Sequence, residues 1–231
     1  MKCSFLITAA VTATLATAAS AFPVFWTDWQ RSSGTNAQSN TAFGEINTGT
    51  DTIGVNYSGA ISFFQDGVNG NTTNYWTEPN AGDRPYTGGP IDNAPPGAEM
   101  IALNVAGTKT LTFSQAVTDV YFGLVSWNGN SGSFSEQIDL VSEGTGYWGG
   151  GNWTLNGSGN GFVASGELHG VLRITGNFTS VSFTDVANEF WHGFTVGVAG
   201  VADPDPVPAP GALGLLGLGA LALGLRRRSA R

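Results

Sequence analysis

Short apolar segments separated by glycine-rich turns are the feature that most constrains the fold of this chain. The sequence holds 34 glycines, and no apolar stripe with a helical period runs through residues 22–205. Instead, segments such as 52–57 and 100–105 alternate apolar and polar residues, which is typical of half-buried strands. The pattern predicts an all-β fold, an antiparallel β-sandwich or jelly roll of about ten strands. The predicted strands are 52–57, 100–105, 109–113, 119–127, 134–141, 153–155, 162–168, 170–174, 178–184 and 190–198.

The first 21 residues have the composition of a secretory signal peptide. Lys2 precedes the apolar run 5–19, which is short for a membrane span of about 20 residues. Ala19 and Ala21 place small side chains just before a predicted cleavage in front of Phe22. We therefore predict a signal peptide at 1–21 and an exported domain at 22–202. A retained N-terminal helix that anchors the chain is the alternative.

The C-terminal region falls into three parts. Residues 203–210 are a proline-rich linker, residues 211–225 contain only Gly, Ala and Leu, and residues 226–231 form a basic tail. As a helix, the apolar part is about 22 Å long, and arginine side chains that reach the interface help it to span a hydrocarbon core of about 30 Å. The basic tail places the C-terminus in the cytoplasm and the exported domain outside. The short motif in the linker is Val207, Pro208, Ala209 and Pro210, and the orienting arginines are Arg226, Arg227 and Arg228.

This order of motif, apolar span and arginine cluster resembles the PEP-CTERM sorting signal, in the variant whose motif reads Val-Pro-Ala-Pro. The resemblance implies that an exosortase, an intramembrane cysteine transpeptidase-like enzyme, cuts near the motif. The protein would then pass from the inner membrane to the cell surface or the extracellular space. Ala209 stands where the commonest form of the motif has Glu, which leaves the exosortase subtype open. A plain C-terminal membrane anchor is the alternative.

Residues 95–200 carry a second resemblance, to exosortase-dependent surface proteins found chiefly in bacteria that make extracellular polysaccharide. Its most distinctive part is the run Glu-Phe-Trp-His-Gly-Phe-Thr at 189–195. The resemblance implies an exported surface protein and transfers no catalytic residue. Within the run, strand alternation places Trp191 on one face and His192 with Phe194 on the other. We expect one of these faces to be core and the other to pack against a loop.

The predicted exported domain is strongly acidic. Residues 22–205 hold all 17 acidic residues of the chain and only four basic ones, which gives this segment a net charge of −13. Such a surface repels phosphate backbones, so we exclude nucleic-acid binding. It suits a polyanion-rich or calcium-bearing extracellular setting, and solubility alone is the alternative reason for it. The four basic residues are Arg31, Arg84, Lys109 and Arg173.

Calcium is the one metal that the composition favours, because the predicted exported domain offers carboxylates and carbonyls and no thiol. Its segment 66–71 places oxygen ligands at alternating positions around glycines, with Asp66, Asn69 and Asn71 as the candidate ligands. The segment lacks the Asp-x-Asp start and the distant bidentate Glu of a complete calcium loop. An ordinary Asn/Gly turn is the alternative interpretation.

Signatures of catalysis are sparse. The chain has two histidines and no Gly-x-Ser-x-Gly nucleophile elbow. A glycosidase needs two carboxylates about 5–10 Å apart, and the candidate pairs are Glu136 with Asp139 and Glu167 with Glu189. Because spacing in sequence does not fix distances across strands, neither pair predicts an active site. We expect a non-enzymatic protein, and a surface carbohydrate-active hydrolase is the alternative.

Aromatic residues give the one chemical hint of a ligand. The seven tryptophans of the chain all lie in the predicted exported domain, and sugar rings stack on exposed aromatic faces. Trp76, Tyr86 and Trp148 lie in polar, glycine-rich stretches where an exposed ring can contact a glycan, and burial in the core is the alternative. Residues 69–97 are long for a loop of a compact domain and predict a binding loop or a poorly ordered segment.

These observations together favour a non-enzymatic surface protein that contacts extracellular polysaccharide and supports biofilm. A purely structural or adhesive coat protein that binds other proteins is a further alternative. Such a protein would present an exposed apolar patch or sheet edge instead of an aromatic groove.

Overall fold

The computed structural model describes residues 21–35, 37–68 and 72–203. Within these ranges the chain forms twelve strands and no helix, and all strand pairs are antiparallel. The prediction of an all-β fold is confirmed, and the predicted terminal helices lie outside the described residues. The strands are β1 Phe25–Trp26, β2 Asp28–Ser32, β3 Ala37–Asn47, β4 Thr52–Ile61, β5 Phe63–Asp66, β6 Glu99–Leu103, β7 Gly107–Asn128, β8 Ser131–Phe134, β9 Asp139–Gly144, β10 Gly151–Leu155, β11 Gly161–Asp185 and β12 His192–Val201.

Two long strands, β7 and β11, organise the sheet. They pair with each other over most of their length, and on its other edge β7 pairs first with β4 and then with β12. The change of neighbour coincides with a register shift, where residues 113–116 of β7 lie between the partners of Phe178 and Ser180. The sheet has the order β2-β3-β4-β7-β12-β6-β5, and β8, β9 and β10 pair with β11. The bend in the long strands lets one sheet curve back over itself.

An inner core fills the concave side of this sheet. Tyr57 of β4 packs against Phe194 of β12, with ring centroids 5.6 Å apart, and Phe122 of β7 packs against Phe183 of β11 at 5.4 Å. Each buried aromatic or aliphatic side chain of this kind stabilises the fold by roughly 1.5–3 kcal/mol. Other buried members of the inner core include Trp29, Ile46, Val55, Leu111, Val120, Leu124, Trp127, Phe134, Leu172 and Val196.

Residues 72–98 form a cover over the convex face of the sheet. The cover and the strands beneath it share a second hydrophobic group, the outer cluster. The described part of the range 69–97 is packed, so the prediction of a poorly ordered segment is wrong there, whereas the alternative prediction of a binding loop stays a prediction. The buried members of the outer cluster are Val24, Trp26, Trp76, Tyr86, Ile91, Met100, Ala102, Tyr121, Val125 and Val171.

Trp76 and Tyr86 attach the cover to the sheet. Both rings are buried, at 3% and 0% exposure, and they pack edge to face with centroids 5.2 Å apart. The Trp76 indole donates Nε1–H to the Glu99 carbonyl at 3.3 Å, and the Tyr86 hydroxyl donates to the Leu124 carbonyl at 3.2 Å. The expectation that these two rings are exposed for a glycan is wrong, because their apolar faces and their polar atoms are both satisfied inside the protein.

A glycine on the convex face of β12 makes room for two strand residues of the outer cluster, Met100 and Val125. A Cβ atom at Gly193 would lie 2.7 Å from Cγ1 of Val125 and would also overlap the Met100 side chain. The opposite face of β12 carries Phe194 and His192, both fully buried. The predicted alternation in this run is confirmed, with His192 and Phe194 on the core side.

Candidate ligand-binding cleft

A bulge in β7 turns polar side chains out of the core. From Val120 to Val125 the strand alternates regularly, with Val120, Phe122 and Leu124 in the inner core and Tyr121 and Val125 in the outer cluster. Ser126 then adopts a left-handed backbone conformation, with φ 56°. The alternation is reset, so that Trp127 enters the inner core. The pairing with β11 shows the same bulge. Leu124 pairs with Gly170 and Trp127 pairs with Leu168, so two residues of β7 lie opposite one residue of β11.

The bulge positions a carboxylate on the neighbouring strand. Ser126 donates its hydroxyl to Oε2 of Glu167 at 2.6 Å, and Asn128 donates Nδ2–H to Oε1 at 2.8 Å. Each carboxylate oxygen of Glu167 thus accepts a hydrogen bond from a neutral side chain. Since an ionised carboxylate has about four lone-pair sites, it retains capacity to accept hydrogen bonds from a ligand.

A second carboxylate, Glu189, is tied to a buried ionic network. Its Oε1 accepts from Nδ2 of Asn130 at 2.8 Å and lies 2.6 Å from Nδ1 of His192. Nε2 of His192 lies 3.1 Å from Oδ2 of Asp185, which also forms an ion pair with Lys109. Burial alone would lower the pKa of His192, but the two carboxylates outweigh it and raise the pKa above its ordinary value. Glu189 therefore contacts, on its inner side, a histidine whose protonated form is favoured by two carboxylates.

Aromatic rings stand beside these carboxylates. Trp148, Phe190 and Trp191 line, together with the polar residues just described, a cleft of about 410 Å³. Phe190 is 92% exposed and Trp148 is 52% exposed, whereas Trp191 is half-buried. Tyr75 supports the group from behind, with its ring centroid 5.2 Å from that of Trp191 and 6.5 Å from that of Trp148. The complete lining of the cleft is Ser126, Asn128, Trp148, Glu167, Glu189, Phe190 and Trp191.

The predicted site residues meet only in part. Trp148 lies in the cleft with Glu167 and Glu189, one of the two carboxylate pairs that the sequence offers. In the other pair, Asp139 instead accepts a hydrogen bond from Arg173 at 2.8 Å. Trp76 and Tyr86 lie in the outer cluster, so neither ring is exposed at this cleft.

Four residues of the cleft were not among the predicted site residues. The run 189–195 contains Phe190 and Trp191, so its unusual composition was a usable signal for both. Ser126 and Asn128 gave no such signal, because the backbone conformation that turns them outward depends on pairing with a distant strand.

The calcium prediction is not tested by the structure. Asn69 and Asn71 lie outside the described residues, and the described part of the chain contains no group of three metal-ligating side chains. Asp66 accepts a hydrogen bond from the Val68 amide at 3.1 Å.

Glu99 is a buried carboxyl group outside the cleft. Burial, with the nearby charges of Asp66 and Asp28, raises the pKa of Glu99 to about 7 despite a hydrogen bond from a backbone amide.

A larger cleft, of about 530 Å³, borders the cover. Its lining includes Glu78, Arg84 and Asp92 and no aromatic side chain. The Glu78 carboxylate accepts from the Tyr86 and Thr87 amides at 2.8 and 2.7 Å, so it serves to hold the cover together. The smaller aromatic cleft is the better candidate, because it offers apolar faces and fixed polar groups together.

Comparison with known proteins places the chain in a class of exported, surface-sorted proteins. Residues 206–228 match the family model of the PEP-CTERM protein-sorting motif, and the chain is thus a PEP-CTERM sorting-signal protein, dependent on an exosortase of the membrane. The predicted motif 207–210 and the arginines 226–228 lie within the matched segment and outside the described residues. Neither a search of curated proteins nor a search of solved structures gives a match. No helix among the described residues is long and apolar enough to cross a membrane.

Proposed function

We propose that this exosortase-dependent surface protein is a non-enzymatic component of an extracellular polysaccharide matrix and that it binds polysaccharide in the aromatic cleft. The observation that carries the proposal is the juxtaposition, in one cleft, of the exposed rings of Trp148 and Phe190 with the fixed carboxylate of Glu167. A matrix role in biofilm follows from a surface protein that holds on to such a polymer.

The exposed rings support a saccharide as the ligand. A ring that is 92% exposed, as in Phe190, leaves apolar surface in water that a ligand can cover at about 25 cal/mol per Å². The C–H face of a pyranose is flat and apolar and matches such a ring. The hydroxyl groups at the edge of the same sugar require acceptors, and the carboxylates provide them.

The rigidity of the cleft supports binding without a large ordering cost. Trp191 contacts Tyr75, Trp148 and Phe63, with ring centroids 5.1–6.4 Å apart. Glu167 is held by two donors that already point at it. Groups fixed before the ligand arrives lose little conformational entropy on binding.

Titration of the purified full chain, in mild detergent, with a panel of soluble oligosaccharides tests this proposal. We expect saturable binding to at least one oligosaccharide, and we expect Trp148→Ala to weaken it about tenfold, since a lost stacking contact is worth about 1–1.5 kcal/mol. Leu155→Ala, which removes an exposed apolar side chain from β10, is the matched control and should leave affinity unchanged. Absence of binding to every oligosaccharide would overturn the proposal and favour a protein-binding coat protein.

A hydrolase is the second candidate, because Glu167 and Glu189 line the same cleft. The internal hydrogen bonds of both carboxylates favour a binding role, since a general acid must be free to transfer a proton to the leaving group. Incubation of each bound oligosaccharide with the protein, followed by an assay for new reducing ends, distinguishes the two. We expect no release of product; release that is lost in Glu167→Gln would establish the hydrolase instead.

A further inference from the structure

The charge of the cleft narrows the kind of saccharide that it can hold. Glu167 and Glu189 are its two ionisable residues, and none of its described lining residues is a lysine or an arginine. The four basic residues of the predicted exported domain are used elsewhere. Lys109 is buried against Asp185, Arg173 pairs with Asp139, Arg31 lies 4.1 Å above the Phe43 ring, and Arg84 lines the other cleft.

The two carboxylates of the cleft are not equivalent. Glu189 lies 2.6 Å from the buried His192, and the protonated form of this histidine, which two carboxylates favour, partly offsets the charge of Glu189. Glu167 contacts only the neutral donors Ser126 and Asn128 among the hydrogen bonds of the described residues, so its negative charge is not offset by an adjacent cation. Glu167 is therefore the stronger acceptor for a cationic group.

The charge of the surface around the cleft also favours a cationic ligand. With a net charge of −13 over residues 22–205, the long-range field attracts cations and repels polyanions. Tryptophan faces, such as the exposed face of Trp148, also attract ammonium groups through the ring quadrupole. A uronic-acid polymer would place its carboxylates against those of Glu167 and Glu189, and the repulsion would weaken binding. A neutral polymer would form no ion pair with either residue.

We infer that the cleft selects an amine-bearing saccharide, a polymer of amino sugars with free ammonium groups, with Glu167 as the acceptor of the ammonium group and Trp148 as the stacking face. This inference rests on the proposed function, because it names the class of saccharide for the same cleft.

Oligomers of glucosamine, N-acetylglucosamine and an uronic acid, matched in length, test the inference by calorimetric titration of the full chain below neutral pH. We expect the glucosamine oligomer to bind about tenfold more tightly than its N-acetylated counterpart, because an ammonium–carboxylate hydrogen bond is stronger than a neutral one. Glu167→Gln should remove most of this preference and reduce the effect of salt on binding. Glu189→Gln should have a smaller effect. Trp148→Ala should weaken both oligomers, and the glucosamine oligomer somewhat more, because only that oligomer loses an ammonium–ring contact.

The failure of this inference and the failure of the proposed function give different results. Equal affinity for the glucosamine and N-acetylglucosamine oligomers, both weakened by Trp148→Ala, would overturn the inference and leave polysaccharide binding intact. No binding of any oligomer would overturn both. A lysine oligomer of the same charge is the control: if it binds as tightly as the glucosamine oligomer, charge alone accounts for the interaction and the inference is wrong.

Discussion

Aromatic side chains from two glycine- and asparagine-rich parts of this protein have opposite environments. In the cover, Trp76 and Tyr86 are buried, whereas at the cleft Trp148 and Phe190 are exposed. Local composition does not separate the two groups. What separates them is the surface beneath: the cover lies over a face of the sheet where Gly123 leaves room, since a Cβ atom there would lie 3.1 Å from Cγ of Pro95 and 3.4 Å from Cζ3 of Trp76.

Polar atoms reinforce that difference. The indole of Trp76 and the hydroxyl of Tyr86 have carbonyl acceptors within the sheet. Buried rings with satisfied polar atoms stabilise a fold, whereas exposed rings beside fixed carboxylates are available to a ligand. We therefore expect substitutions in the cover to lower stability and substitutions in the cleft to act mainly on the proposed binding.

Trp76→Ala should give the largest effect. It removes a fully packed ring and its hydrogen bond, and we expect a loss of about 3–5 kcal/mol in the free energy of unfolding. Trp148→Ala should lower that free energy by less than about 1 kcal/mol, because about half of the ring is exposed. Urea unfolding of both variants measures the difference, and equal losses would refute the division between the cover and the cleft.

Tyr86→Phe should give an intermediate effect. The hydroxyl lies 2.8 Å from Nδ1 of His169 and donates to the Leu124 carbonyl, so its removal leaves buried polar atoms without a partner. We expect a loss of about 1–3 kcal/mol. Tyr147→Phe, at a ring that is 44% exposed, is the control and should leave stability unchanged. No loss in Tyr86→Phe would show that the cover does not depend on this buried hydroxyl, and an equal loss in Tyr147→Phe would show that burial is not the reason for the effect.

Substitutions at Ser126 separate backbone conformation from recognition at the cleft. Ser126→Ala and Ser126→Gly both remove the hydroxyl that holds Glu167, so both should weaken saccharide binding. Ser126→Gly should be more stable than Ser126→Ala by about 1 kcal/mol, because glycine adopts positive φ without a steric penalty. Thermal unfolding of the two variants measures this difference, and a less stable glycine variant would contradict it.

The smallest effect is expected in the pH dependence of stability. Burial lowers the pKa of His169 to about 4, so the unfolded chain binds more protons and stability rises with pH between about 4 and 6.5. Glu99, with a pKa raised to about 7, acts in the opposite direction between 4.5 and about 7. The two slopes oppose each other in the unmodified protein.

Replacement of either Glu99 or His169 should leave the pH dependence of stability that comes from the other residue. In Glu99→Gln, the free energy of unfolding should rise with pH between about 4 and 6.5, and in His169→Gln it should fall between 4.5 and about 7. Above pH 6.5, the raised pKa of His192 adds a loss of stability as the pH rises through that pKa. Urea titrations across this range measure the slopes, and identical slopes in the two variants would contradict the assignment.

Sequence pattern predicts the strands that alternate and misses those that do not. The segments 100–105 and 119–127 lie within or overlap β6 and β7, because their apolar periodicity is strong. The strands β2 and β3 were missed: β3 is rich in Gln, Asn, Ser and Thr and is held by pairing with β4, and β2 is a short strand held by pairing with β3. Two predicted strands merge in β7 and three in β11, because long-range pairing continues through residues that resemble turns.

The cleft was less predictable from the sequence than the strands were. Trp148, Glu167 and Glu189 could be proposed singly from residue type, but their meeting in one cleft depends on the register between β7 and β11. The burial of Trp76 could not be predicted, because it depends on which face of the sheet the cover meets. Local sequence carries no information on that contact.

The position of β12 has a mechanical consequence. The cleft residues 189–191 directly precede this strand, and the sorting tail follows it in the sequence. The cleft also contains Ser126 and Asn128 at the end of β7, beside the start of β12. A force between a ligand held by these residues and the C-terminal tail would therefore pull β7 and β12 in opposite directions, parallel to the strands. The backbone hydrogen bonds between β12 and β7, from Gly193 to Val201, would then be loaded together in shear instead of being opened one after another. This arrangement would let the protein stay folded while flowing liquid drags on a polymer bound in the cleft.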